Sequence, residues 1–219
     1  RFFTMDNAEW ATHGTDSIAT ATDYVVDVRA AKDYEAGHIE NAVSVPTDGS
    51  AIAAGSDAAK VLDAAYSKAK NEGKRIVFIC YSGNRYARRA MDYVYNTYPD
   101  EGITAAKVTY LKGGFNNWKT ANLYVIGKVK VDPAAKTATI KAKVNAAYLT
   151  ADAPFIYHLI KSEGVGDKDA AFVSEADVFD FHSALTAIGS KPWSDTSVSL
   201  ETGQTLSAAA AAGVGSSKS

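Results

Sequence analysis

At 219 residues, 47% hydrophobic and 22% charged, the chain has the length of one or two domains and the composition of an ordinary folded protein. Its 23 basic and 25 acidic residues give a net charge of -2, which excludes a global field favouring nucleic acid or a membrane surface. No apolar run approaches the ~20 residues that a membrane-spanning helix needs. The single cysteine excludes an intrachain disulfide and any metal site built from several thiolates.

The first half alternates short apolar runs with helical patterns. Tyr24-Val25-Val26-Asp27-Val28, Ala42-Val43-Ser44-Val45, Arg75-Ile76-Val77-Phe78-Ile79 and Lys107-Val108-Thr109-Tyr110-Leu111 read as strands covered on both faces. Between them, Ala58, Val61, Leu62, Ala65 and Ala69 recur at helical spacing, with Ser56 or Asp57 as the cap. Ala87, Ala90, Met91, Val94 and Tyr98 form a second such stripe, which Pro99 stops. This alternation predicts an α/β domain with a mostly parallel central sheet flanked by helices.

Near Val125 the pattern changes. Val129 and Val131 alternate with lysines, Asp132-Pro133 makes a turn, and Ala138, Ile140, Ala142 and Val144 alternate again, which predicts a hairpin. Residues 155–160 read as a further strand. Ser174 is the expected cap of a helix carrying Val178, Phe181, His182, Leu185 and Ile188, ending at Gly189. The predicted organisation is an α/β domain over residues 1–125, a small α+β domain over 126–206, and a low-complexity tail over 207–219 that includes an alanine run.

Cys80 stands at the end of a predicted strand, and Arg85 opens the helix that follows, the place where open α/β sheets bind ligands. A short loop curled onto a helix N-terminus turns backbone N–H groups inward, which favours an anion or a thiolate. That field should raise the thiolate fraction of Cys80. Gly83 permits a positive φ and Ser82 adds a hydroxyl. Asn84 completes the ring, Arg85 can fork onto an oxyanion, and Arg88 and Arg89 follow one turn on. Tyr81 is expected to wall the pocket beside a solvent-facing thiol. A lone cysteine otherwise reads as a buried structural residue, and the Cys-x-x-Gly-x-Arg spacing between strand and helix reverses that reading.

These residues resemble the rhodanese family of sulfurtransferases over about residues 1–125. Asp27-Val28-Arg29 is similar to the family's Asp-x-Arg strand end. Asp33-Tyr34 with Gly37-His38-Ile39-Glu40-Asn41-Ala42 resembles its acid-aromatic and Gly-His-Ile-x-Gly-Ala signature, with Asn41 in place of glycine. Residues 80–85 are similar to its active loop, and Gly113-Gly114-Phe115-Asn116-Asn117-Trp118 to its Gly-Gly-x-x-x-Trp ending, with Asn122 where a glycine usually follows.

The resemblance implies that Cys80 takes a sulfane sulfur from a small anionic donor, holds it as a persulfide, and passes it to a thiol, a cyanide-like acceptor or a protein acceptor. No cofactor or metal is implied. Arg85 would hold the donor, and Tyr81, Ser82, Gly83 and Asn84 would cradle the sulfur. Asp27, Arg29 and His38 are supporting residues: Asp27 orients the loop, Arg29 pairs with Asp33 at a helix start, and His38 is a hydrogen-bonding residue rather than a catalyst. Trp118 reads as core. Thiosulfate-using members often carry arginine directly after the cysteine, so Tyr81 points to a persulfide as donor. A non-enzymatic sensing or partner-binding module on the same scaffold is the alternative. Phosphatases and arsenate reductases of this fold place five residues between Cys and Arg, and here four intervene.

Residues 127–219 resemble a small bacterial family called YdjY-like, through Gly127-Lys128-Val129-Lys130-Val131-Asp132, Phe172-Val173, His182-Ser183-Ala184-Leu185 and Ile188-Gly189-Ser190-Lys191-Pro192. This half has no cysteine for a thiolate-held cluster. His158 and His182 with Glu163 or Glu175 would be the only metal set, and their spacing is not that of ligands. The chain opens Arg1-Phe2-Phe3 without an initiator Met. With similar domain pairs in exported bacterial proteins, this makes a periplasmic location the expectation and the cytoplasm the alternative.

Overall fold

The computed structural model describes residues 1–145, 157–161, 170–191, 198–199 and 205–206. The chain divides into two units, Arg1–Val125 and Ile126–Ser219.

In the first unit the elements run α1 (Asn7–Thr12), β1 (Gly14–Thr15), β2 (Asp23–Asp27), α2 (Ala31–Glu35), β3 (Val43–Ser44), α3 (Asp57–Asn71), β4 (Arg75–Ile79), α4 (Arg85–Thr97), β5 (Val108–Leu111) and α5 (Gly114–Trp118). The strands form one sheet in the order β1-β5-β4-β2-β3, with every pairing parallel. Central β4 aligns Ile76 with both Tyr24 and Val108. Its Ile76, Val77, Phe78 and Ile79 are all buried, as an apolar run covered on both faces requires. The α/β fold with a parallel central sheet matches the sequence-based expectation.

Ser56, not Asp57, caps α3, its side chain accepting from the Ala59 N–H at 3.2 Å. The buried face of α3 is Ala59, Leu62, Ala65, Tyr66 and Ala69, whereas Val61 is exposed. Tyr66, four residues after Leu62, joins the buried face and stacks on Tyr98, ring centroids 4.3 Å apart. Helix α4 ends at Thr97, before a short turn that Pro99 opens. Elements without a strong local signal, α1, β1 and α5, were not evident in the sequence.

The second unit contains β7 (Val129–Asp132) and β8 (Thr137–Ile140), after β6 (Tyr124–Ile126) at the junction. The β7–β8 hairpin pairs Val131 with Ala138 and buries Val129 and Val131. The second arm is not continuous: Ala142–Val144 is a separate strand, β9, antiparallel to β11 (Ala170–Ser174). β10 (Tyr157–Lys161) pairs with β11 in parallel, and residues 155–156 of the expected strand lie outside the described residues. Asp177, not Ser174, caps α6 (Val178–Ala187), accepting from the Phe179 N–H at 2.8 Å. Ser174 instead ends β11 and donates to the Lys141 carbonyl at 2.7 Å. Both residue types suit a cap, and the strand pairing takes the serine.

Candidate functional site

Cys80 is the first residue after β4, and α4 begins at Arg85. The thiol is 1% exposed and part of the core cluster, so it sits beneath the loop and not on a solvent-facing surface. The Asn84 backbone N–H donates to Cys80 Sγ at 3.3 Å.

Two glycines let the loop pack this closely. Gly83 has φ +72°, and a Cβ there would lie 2.5 Å from the Leu111 carbonyl oxygen and 2.9 Å from the Gly113 nitrogen. Gly114 has φ +60°, and a Cβ there would overlap the Cys80 carbonyl and lie 2.6 and 2.7 Å from the amide nitrogens of Gly83 and Ser82. The start of α5 thus forms the floor of the loop. Phe115 N–H donates to the Cys80 carbonyl at 2.8 Å, and Asn116 N–H to the Tyr81 carbonyl at 3.0 Å. From the other side the Trp10 indole donates to the Gly83 carbonyl at 2.8 Å. That indole stacks on Tyr110, centroids 3.9 Å apart.

The cations around the loop divide their tasks. Arg85 is exposed, and its Nε donates to the Gly49 carbonyl at 3.0 Å, which aims the guanidinium along the rim. Arg88 is not a second oxyanion fork. It is buried and donates to Asn84, Phe2, Met5 and Asn7. The Arg89 guanidinium sits over the Phe3 ring, 3.4 Å from its centroid. A pocket of about 510 Å³ opens here, lined by Phe3, Met5 and Asn7 on one side and by Ser82, Asn84, Arg85 and Arg88 on the other.

Tyr81 does not wall this pocket. Its hydroxyl donates to Asp33 at 2.5 Å and accepts from the Ala30 N–H at 3.2 Å. Burial, then the bond to Asp33, pushes its phenol pKa up. Asp33 is therefore Tyr81's partner and not Arg29's. Arg29 instead makes a buried bidentate pair with Asp27, Nε to Oδ1 at 3.0 Å and Nη2 to Oδ2 at 2.7 Å, and donates to the Gly37 carbonyl at 2.7 Å. Asp27 side-chain bonds go to Arg29 and not to the loop. The Arg29 guanidinium covers Phe115 at 4.0 Å, so the pair braces the element that floors the loop.

His38 is half-buried, donates from Nδ1 to the Tyr34 carbonyl at 2.8 Å, and stacks on the Tyr34 ring at 3.8 Å. Burial holds its imidazole below its ordinary pKa. Asn41 adopts φ +66°, a left-handed conformation that asparagine tolerates. Trp118 is only half-buried, its indole donating to the Leu123 carbonyl at 2.9 Å.

Among the described residues, no group of three His, Cys, Asp or Glu side chains is placed to hold a metal. Glu175 pairs with Lys128, and His182 is exposed. The His158 side chain and Glu163 lie outside the described residues.

A rhodanese-like domain model matches residues 8–121, more than half of the chain, and a YdjY domain model matches residues 129–211. The chain belongs to the rhodanese-like family, and a YdjY domain follows its rhodanese-like domain. No curated protein matches the chain. Among solved structures, an As-Sb reductase from Leishmania major is similar over 45% of this chain and 63% of its own length, at 21% identity and a TM-score of 0.36. The chain thus spans less than two thirds of that protein.

Of the candidate residues, Cys80, Ser82, Gly83, Asn84 and Arg85 share the loop, Asp27 and Arg29 brace its floor, and His38 bonds and stacks on Tyr34. Trp10 and the floor role of Gly114 were missed. The glycine pair was visible as a motif, but Trp10 reaches Gly83 across 73 positions and leaves no local signal.

Proposed function

We propose that this protein is a rhodanese-type sulfurtransferase or persulfide carrier that moves a sulfane sulfur through Cys80. The observation that carries this reading is the N–H of Asn84 directed at Cys80 Sγ inside a glycine-shaped loop, with the Arg85 cation at its rim. Hydrogen bonds to a sulfur anion strengthen as charge collects on it.

The reaction has two displacements. The Cys80 thiolate attacks the outer sulfur of a donor such as thiosulfate or a persulfide. The donor's S–S bond breaks, sulfite or a thiolate leaves with the electron pair, and Cys80 carries a persulfide. A thiolate or cyanide then attacks the terminal sulfur, the Cys80 S–S bond breaks, and the Cys80 thiolate is regenerated with its electron pair. Arg85 binds the anionic donor. Tyr81 stands where an arginine would add a second charge, and its hydroxyl is occupied by Asp33 and Ala30. A persulfide, small or protein-borne, is therefore the better donor than thiosulfate.

The burial of Cys80 to 1% exposure favours a second reading, a partner-binding module on the same scaffold. Steady-state kinetics separate the two. A transferase gives parallel double-reciprocal lines when donor and acceptor are varied, and Cys80→Ser abolishes turnover. No turnover with thiosulfate, polysulfide or an organic persulfide would support the binding module.

A further inference from the structure

We propose that Arg88 is a positioning residue, holding Asn84 so that its N–H stays on the Cys80 sulfur. The proposal rests on the reading of Cys80 as the reactive sulfur. Arg88 lies one turn into α4 and is 4% exposed. Its Nε donates to Asn84 Oδ1 at 2.7 Å. On the opposite side it donates to the carbonyls of Phe2 (3.0 Å) and Met5 and to Asn7 Oδ1 (2.8 Å). Among the described residues no carboxylate forms an ion pair with it. A cation this buried is costly unless its donors are satisfied, and neutral acceptors on two sides satisfy this one. A planar guanidinium can span both sides at once, which the point charge of a lysine cannot.

Asn84 shows what the bond is for. An asparagine before a helix ordinarily turns its oxygen onto the N–H of the second or third helical residue. Here that cap is absent, and the oxygen goes to Arg88 instead. The Asn84 backbone is neither helical nor extended (φ −133°, ψ −112°). The direction of its N–H therefore depends on how the residue is held, and that N–H is the one on Sγ. Trp10, whose ring lies 4.9 Å from the Arg88 guanidinium, fixes the neighbouring Gly83 carbonyl. Residues 2–10 are thus joined to the loop at two consecutive positions.

The test is the rate of Cys80 alkylation by iodoacetamide, a neutral probe that needs no sulfur donor. Full-length wild type, Asn84→Ala, Arg88→Met, Arg88→Lys and the Asn84→Ala/Arg88→Met double variant are compared. Asn84→Ala and Arg88→Met should each slow alkylation about tenfold, and the double variant should be no slower than the slower single. Arg88→Lys keeps the charge but cannot reach both sides at once, so it should slow alkylation about as much as Arg88→Met, which separates positioning from the mere loss of a cation. Wild-type rates in Asn84→Ala, or single effects that multiply in the double variant, would overturn the proposal. If Arg88→Met does not fold, Asn84→Ala and Arg88→Lys decide: both should be slow, and a wild-type rate in either overturns the proposal. Because alkylation involves no sulfur transfer, failure of the transferase reading would show separately, as an alkylatable Cys80 without turnover.

Discussion

At the residue scale, the support of the site rests on charges that cannot be halved. Asp27 is fully buried and Arg29 is 3% exposed, and removing one partner of such a pair leaves a desolvated charge. Asp27→Asn should therefore lower unfolding free energy by about 3–5 kcal/mol in urea titration. A loss below about 1 kcal/mol would mean that solvent reaches the guanidinium. His38 makes a pH-dependent contribution. Its folded pKa lies below the ordinary value near 6.5, so below pH 6.5 the unfolded chain binds the proton more readily than the folded one. Stability is then retained above that pH and falls on acidification until the folded imidazole also protonates. Urea midpoints between pH 8 and 5 should drop less in His38→Gln than in wild type, and identical slopes would assign the drop to other groups. Cys80 and Arg85 were legible because their spacing is local. Arg88 was not, because three of its acceptors lie 81 to 86 positions away. The Arg29–Asp33 pair failed for a related reason: Tyr81, just past the end of β4, takes Asp33 from 48 positions away.

At the scale of elements, strands and helices with a strong local period were readable. β4 leads into Cys80 and α4 opens at Arg85, so the candidate loop between them was readable with them. What the period cannot convey is which residue wins a face or a cap. Tyr66, not Val61, lies on the buried side of α3, where it stacks on Tyr98, and Asp177 caps α6 because Ser174 is held by β11. α5 is short and opens on two positive-φ glycines, Gly113 and Gly114, so it has little pattern, yet it floors the loop of residues 80–85. Gly114→Ala should displace residues 80–83, since its methyl group would overlap the Cys80 carbonyl. The expected result is loss of at least about 90% of kcat with far-UV circular dichroism unchanged. Near wild-type turnover would show that the loop tolerates a shifted floor.

For the whole molecule, the core, the loop and its support all belong to the unit Arg1–Val125. A chain ending at Ile126 should therefore fold cooperatively and keep kcat within about twofold of the full chain. An unfolded or inactive fragment would mean that the YdjY domain completes the site. The central claim, that Cys80 carries sulfur, is tested most directly by intact mass. The full chain is incubated with thiosulfate or with an organic persulfide, desalted, and then given a thiol or cyanide. The account predicts one added sulfur atom, mapped to the peptide bearing Cys80, more complete with the persulfide than with thiosulfate and removed by the acceptor. A chain whose Cys80 reacts with iodoacetamide yet gains no sulfur from either donor would contradict it.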